Sequence, residues 1–131
     1  MAGLRWQSLV LPDVDREYVV ALSQYAWLTH VATLGRLSLK RHLQEHLRAA
    51  HGLLGYSIWT VLRRKRFYVL AVWENEQARL SFGAPIPQQR HTRSDEPTWF
   101  IEWRITSELY PPTWHEAFAK ATVEFPGKLV P

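Results

Sequence analysis

At 131 residues and 15.4 kDa, with 47% apolar and 21% charged content, the chain matches one ordinary globular domain and neither a disordered nor a fibrous polymer. No apolar run approaches the roughly 18 residues that a membrane span needs, and Asp13, Asp15, Arg16 and Glu17 stand where a signal peptide would carry its apolar core. Having no cysteine, the chain has no disulfide, no thiolate nucleophile and no Cys-ligated metal, and a soluble, cytoplasmic protein is expected. A net charge of +4 and a pI near 9.7 raise nucleic acid as a partner, but the aromatic-basic interleaving of such an interface is missing. The dense basic run Arg63-Arg64-Lys65-Arg66 lies between two apolar runs, where a solvated hairpin turn explains it.

In chain order, residues 1–16 contain Pro12 and several acids without a clear period and read as an irregular arm. From Glu17 to Thr29 the run is rich in β-branched and aromatic residues and predicts a first strand. Between Leu37 and Ala50, Leu39, Leu43, Leu47 and Ala50 recur at helical spacing, with Lys40, Arg41, Glu45 and Arg48 on the remaining positions. Gly52 is placed to end that helix in a left-handed conformation, and Gly55 to open the next element. Tyr56–Leu62 and Phe67–Glu74 predict a hairpin around the basic turn.

Asn75 is suited to cap a short helix in which Ala78, Ser81 and Phe82 share a face, and Gly83, Pro85 and Pro87 keep that helix from continuing. Thr98–Ile105 sets Trp99, Ile101, Trp103 and Ile105 against Phe100, Glu102, Arg104 and Thr106, a period-two strand. Glu102 and Arg104 share a face, and an ion pair between them or across a dimer axis is expected. Thr113 begins a short helix over Trp114–Ala121, and residues 122–131 read as an irregular tail. The order is βαββαβ plus a C-terminal helix, an α+β fold of the ferredoxin-like half-barrel kind in one domain over residues 1–131. Helices on one side would leave the other sheet face bare and apolar, so a homodimer burying roughly 800 Å² per partner is expected.

Familiar catalytic patterns are missing: there is no Gly-x-Ser-x-Gly elbow and no glycine-rich phosphate loop, and His115-Glu116 is followed by Ala119 where a zinc-protease helix carries its second His. His42 and His46 stand four apart, but on a helix centred on Leu43 His46 lies about 60° off the buried stripe and His42 about 100°, and no third ligand has a matching spacing, so no metal centre is expected. His46 is left as a pocket-lining candidate. Trp73 falls at the rim of its strand, and Val69 and Ala71 share its face, small Ala71 leaving room that marks a pocket floor. Tyr56, Trp59, Phe82 and Trp99 add aromatic surface suited to a flat, apolar ligand or, equally, to a packed core.

Gly52-Leu53-Leu54-Gly55-Tyr56 and Val72-Trp73-Glu74 resemble the antibiotic-biosynthesis-monooxygenase type of the dimeric α/β barrel superfamily. The resemblance runs from about Tyr18 to Glu108, and the closing Glu108–Ala117 looks loosely similar to spheroidene monooxygenase-like proteins. It implies a dimeric α/β barrel with a pocket between sheet and helices lined by Trp73. It further implies a cofactor-free monooxygenase, or a related cyclase or isomerase, acting on an aromatic or polyketide-like molecule. On that reading Tyr56 shapes the pocket and His46 or His91 transfers the proton. The alternatives are a haem-binding relative ligated through His91, although Pro85 and Pro87 break the helix that would carry the ligand, and a non-catalytic module that only holds a small molecule.

Overall fold

The computed structural model describes residues 5–26, 41, 43–61, 66–82 and 99–124, excluding the side chains of residues 26 and 99. In chain order these form β1 (Gln7–Ser8), β2 (Glu17–Ala26), α1 (residues 43–49), β3 (Leu53–Val61), β4 (Arg66–Trp73), α2 (Glu76–Phe82), β5 (Trp99–Thr106), a 3-10 turn (Ser107–Leu109) and α3 (Trp114–Glu124). The result is an α+β fold with one five-stranded sheet of order β1-β3-β4-β2-β5, in which every neighbouring pair is antiparallel. Between β4 and β5, β2 is covered on both faces, and its apolar run Tyr18–Leu22 is buried without a break. A strand flanked on both edges and both faces has no water-facing side to make polar.

Ladder register sorts the side chains. Directly opposed residues of an antiparallel pair share a face, so Tyr56, Ala71, Ala21 and Glu102 form one row across the sheet, and Ile58, Val69, Ser23 and Phe100 form the next. On this face the core is built from β2, β3 and β4 against Leu43 and Leu47 of α1, with Ala78 and Phe82 of α2 packed at its margin. The helical stripe read through Leu43 and Leu47 thus meets the sheet; Leu39 lies outside the described residues. Gly52 ends the first helical segment at φ 84°, as its position implied. Asn75 Oδ1 accepts from the Ala78 amide at 2.8 Å, and Thr113 Oγ1 accepts from the Glu116 amide at 3.1 Å, so both expected caps form.

The opposite face corrects the expectation of a bare sheet. Tyr18, Val20, Leu22, Leu54, Tyr68, Leu70, Val72, Ile101 and Ile105 are buried there beneath Ala117 and Ala121 of α3, with Trp114 and Phe118 packed against the same cluster. Positions 114, 117, 118 and 121 fall on one helical stripe, and the two alanines let the helix axis come close to the sheet. The face that was to be buried by a second copy is covered by the chain's own C-terminal helix. Within the layer, Trp114 Nε1 donates to Ser57 Oγ at 3.0 Å, and Gln24 Nε2 donates to Tyr68 Oη at 3.1 Å.

Other boundaries move for local reasons. The arm expected to be irregular contains β1, which pairs Gln7 with Tyr56 and Ser8 with Gly55. Gly55 lies inside β3, beside a register shift, and does not open the strand. A Cβ there would sit 2.6 Å from both Trp6 Nε1 and Tyr110 Oη and 2.8 Å from the Gln7 carbonyl oxygen. The missing side chain is what lets the arm and Tyr110 close onto the strand. α3 continues to Glu124, three residues past the expected end. Glu102 and Arg104 do not pair with each other: Glu102 pairs with Arg79 of α2, and Arg104 lies 4.0 Å from Glu76. The basic turn 62–65, the Gly83–Pro87 break and the last residues of the chain lie outside the described residues.

Candidate small-molecule pocket

Between the sheet and α1/α2 lies a small cavity of about 70 Å³. Its floor is Ala21, Ser23 and Ala71, neighbours on adjacent strands because Ala21 is opposed to Ala71 and Ser23 to Val69. Three small side chains in the middle of a sheet face leave a depression that longer ones would fill. Tyr25, Val69, Trp73, Phe82 and Phe100 form the walls, and Leu47 comes in from α1. The Trp73 and Phe82 rings meet at 5.1 Å and 49°, while Tyr25 stacks on Phe67 at 5.1 Å and 10°.

Polar groups are few. Burial pushes the Tyr25 phenol well above its ordinary range, and a hydrogen bond from Ser23 pulls it back only in part. At neutral pH the pocket therefore presents two neutral hydroxyls. Arg79 stands at the rim, its guanidinium 5.2 Å from the centre of the Phe100 ring and paired with Glu102. The lining thus supplies aromatic contact, two hydroxyls and a cation whose charge is already partly answered.

Of the residues singled out from sequence, Trp73, Ala71, Val69 and Phe82 come together on this pocket. Tyr56 is buried on the same face, opposite Ala71, and its hydroxyl has no hydrogen-bond partner among the described residues. Trp59 does not join them. It sits on the α3 face, with ring centres 5.6 Å from both Trp114 and Phe118, because β3 alternates and residue 59 falls out of phase with Tyr56.

His46 is exposed and also outside the pocket: its ring meets the edge of Phe82 at 6.0 Å, in a shallow depression shared with His51, Ala78 and Ser81. Leu43 and Leu47 occupy the sheet-facing stripe of α1, which turns residue 46 toward α2. Phe82 stands between His46 and Trp73. His42, His91 and the Trp99 side chain lie outside the described residues. Sequence reasoning missed Ala21, Ser23 and Tyr25, although their period-two spacing on β2 marks one face, and it missed Arg79. Among the described residues no three His, Asp or Glu side chains gather as a metal ion would require, and no helix is long and apolar enough to cross a membrane.

No family model and no curated protein matches the chain. One solved structure, the structural-genomics protein YJCS, resembles it at a TM-score of 0.52 and 12% identity, over 68% of this chain and 99% of that one. At that identity the likeness concerns the fold alone, and it agrees with the α+β architecture.

Proposed function

We propose that this chain is a cytoplasmic protein of ferredoxin-like build that takes up a small aromatic molecule between sheet and helices, and that it oxidises an electron-rich arene without a cofactor. With β1 set aside, the strand order β5-β2-β4-β3 is the order expected of a βαββαβ half-barrel, which supports the first part. The observation that carries the second is the floor of Ala21, Ser23 and Ala71 ringed by Tyr25, Trp73, Phe82 and Phe100. Apolar walls with a few placed polar groups are the usual make-up of a small-molecule site. The resemblance of Val72-Trp73-Glu74 to the antibiotic-biosynthesis-monooxygenase type points the same way.

The chemistry balances without a bound group. A hydroxyarene such as 1-naphthol and one dioxygen give a naphthoquinone and one water, with all four electrons coming from the substrate. The chain would position the ring against Trp73, hold its oxygen by the Ser23 and Tyr25 hydroxyls, and exclude water from the reacting carbon. Haem fits less well, since a cavity of about 70 Å³ is far below the roughly 300 Å³ at which pockets for drug-sized ligands begin. A single ring also needs more room than this, and Phe82, partly buried on the margin of the core, is the lining side chain whose displacement would supply it.

A binding-only role is favoured by one observation. The described lining holds no imidazole and no carboxylate to move a proton, since His46 lies behind Phe82 and Glu102 is engaged by Arg79. Titrating the protein with 1-naphthol under argon, by tryptophan fluorescence, and then admitting ¹⁸O₂ separates the two. Quenching followed by labelled quinone supports the oxygenase, and quenching alone supports the binding module. No quenching at millimolar naphthol rejects both.

A further inference from the structure

The two edges of the sheet are treated differently. One ends in β1, only two residues long, while the other ends in β5, eight residues with an unbroken ladder to β2 and, among the described residues, no strand on its outer side. Natural sheets blunt a long edge with proline, charged side chains, a bulge or a covering segment. β5 contains neither proline nor lysine, no register shift interrupts its pairing with β2, and its two charges, Glu102 and Arg104, are opposite in sign. Beside this edge, β5 and α3 line an open groove of about 720 Å³ in which Phe100 and Val123 are exposed apolar side chains.

We propose that β5 pairs antiparallel with β5 of a second copy, about a two-fold axis through Trp103, joining two five-stranded sheets into one. An axis perpendicular to the sheet keeps each face continuous, so it must pass through a residue position. Through Trp103 it sets Ile101 against Ile105, Glu102 against Arg104, and Phe100 against Thr106, using nearly the full strand. One step either way sets Glu102 against Glu102 or Arg104 against Arg104, and like charges directly opposed are unfavourable.

The intramolecular pairs extend the match. Arg104 lies beside Glu76 and Glu102 pairs with Arg79, so the junction reads Glu76, Arg104, Glu102 of the second copy, Arg79 of the second copy: four charges alternating in sign, repeated by symmetry. On the α3 face, Ile101 and Ile105 continue one apolar row across the junction. A bare edge could also accept an unrelated peptide, but this self-complementary charge order selects the chain's own copy. The interface uses the edge, leaving the face under α3 undisturbed, and it does not depend on what the pocket binds.

Having no cysteine, the protein lets an introduced thiol report alone. Light scattering should give twice 15.4 kDa at micromolar concentration. Under mild oxidation, an equimolar mixture of E102C and R104C should form at least tenfold more disulfide-linked dimer than either variant by itself, because only the mixed pair is directly opposed. Trp103→Cys should link to itself. Thr106→Cys should not, since the two copies of that position lie roughly 20 Å apart along the strands. A monomer at hundreds of micromolar overturns the proposal. So does a dimer whose mixed pair links no better than its controls, or one in which Thr106→Cys links as readily as Trp103→Cys. Naphthol titration of the same samples reads the pocket separately, so failure of the edge and failure of the ligand reading show as different results.

Discussion

Trp73 at the end of β4 and Phe82 at the end of α2 face each other with ring centres 5.1 Å apart, and this contact closes the pocket over the small floor of the sheet. The solvent-exposed His46 also meets Phe82, their rings nearly perpendicular with centres 6.0 Å apart, so one phenyl group contacts both the cavity wall and the imidazole. Phe82 is thus the ring shared by both contacts.

Phe82→Ala should therefore merge the cavity with the depression around His46. Because Phe82 is only partly buried, the cost should be about 2 kcal/mol, below the roughly 3–5 kcal/mol of a fully buried phenylalanine. The variant should also bind a small fused-ring probe, indole, at least tenfold more tightly than the parent protein. Calorimetry measures both quantities. A destabilised variant with unchanged indole affinity would show that the cavity is mere imperfect packing.

Tyr56 offers a sharper case. Its side chain is fully buried and its hydroxyl lacks a hydrogen-bond partner among the described residues, a state that costs about 1–3 kcal/mol for a buried polar group. Tyr56→Phe removes the stranded oxygen and keeps the ring, so urea unfolding should show a gain of about 1 kcal/mol. If the variant loses stability instead, the hydroxyl has a partner in solution, an ordered water or a ligand. Weaker naphthol binding by the same variant would identify that partner as the ligand.

Much of this arrangement was legible in the chain. Period-two alternation placed Ile101 and Ile105 opposite Glu102 and Arg104, helical spacing placed Leu43 and Leu47 on the sheet, and Val69-x-Ala71-x-Trp73 marked one strand of the pocket lining, with Ala71 in the floor. Contacts between distant segments were not. Glu102 finds Arg79 and Arg104 finds Glu76 only once α2 packs beside β5, so a reading confined to one strand could pair those residues only with each other or with a second copy of the same strand. The role of α3 was hidden for a similar reason. Its sheet-facing stripe contains two alanines, which carry little hydrophobic signal yet permit the closest approach. β1 escaped because two residues have no period.

Gly55 and Gly52 make different demands, and alanine should separate them. At Gly55 a methyl group would meet the Gln7 carbonyl oxygen at 2.8 Å and the Trp6 and Tyr110 side chains at 2.6 Å. Gly55→Ala should cost about 1–3 kcal/mol and release the N-terminal arm, speeding proteolysis before β2. At Gly52, φ of 84° adds backbone strain to a 2.6 Å contact with Ala78 Cβ, so Gly52→Ala should destabilise the junction of α1, β3 and α2 while leaving the arm protected. Equal cleavage rates before β2 in both variants would contradict this division.

Alkaline pH should weaken the fold through Tyr25. Burial raises the Tyr25 phenol above its ordinary value of 10.0, the hydrogen bond with Ser23 opposing this only in part. The folded state thus holds its proton to higher pH than the unfolded chain does. Below the unfolded value both states are protonated and this group's contribution is fully present. Above about pH 10 the unfolded chain ionises first, and stability falls as pH climbs toward the folded value. Tyr25→Phe removes the ionisable group while preserving the stack on Phe67, whose rings lie 5.1 Å apart. Urea midpoints taken between pH 8 and about pH 11.5 should decline less steeply for the variant than for the parent, the two curves running parallel below about pH 9.5. Curves that stay parallel throughout would mean that Tyr25 ionises as freely in the folded protein as in the unfolded chain, and that water reaches the pocket floor beside Ser23.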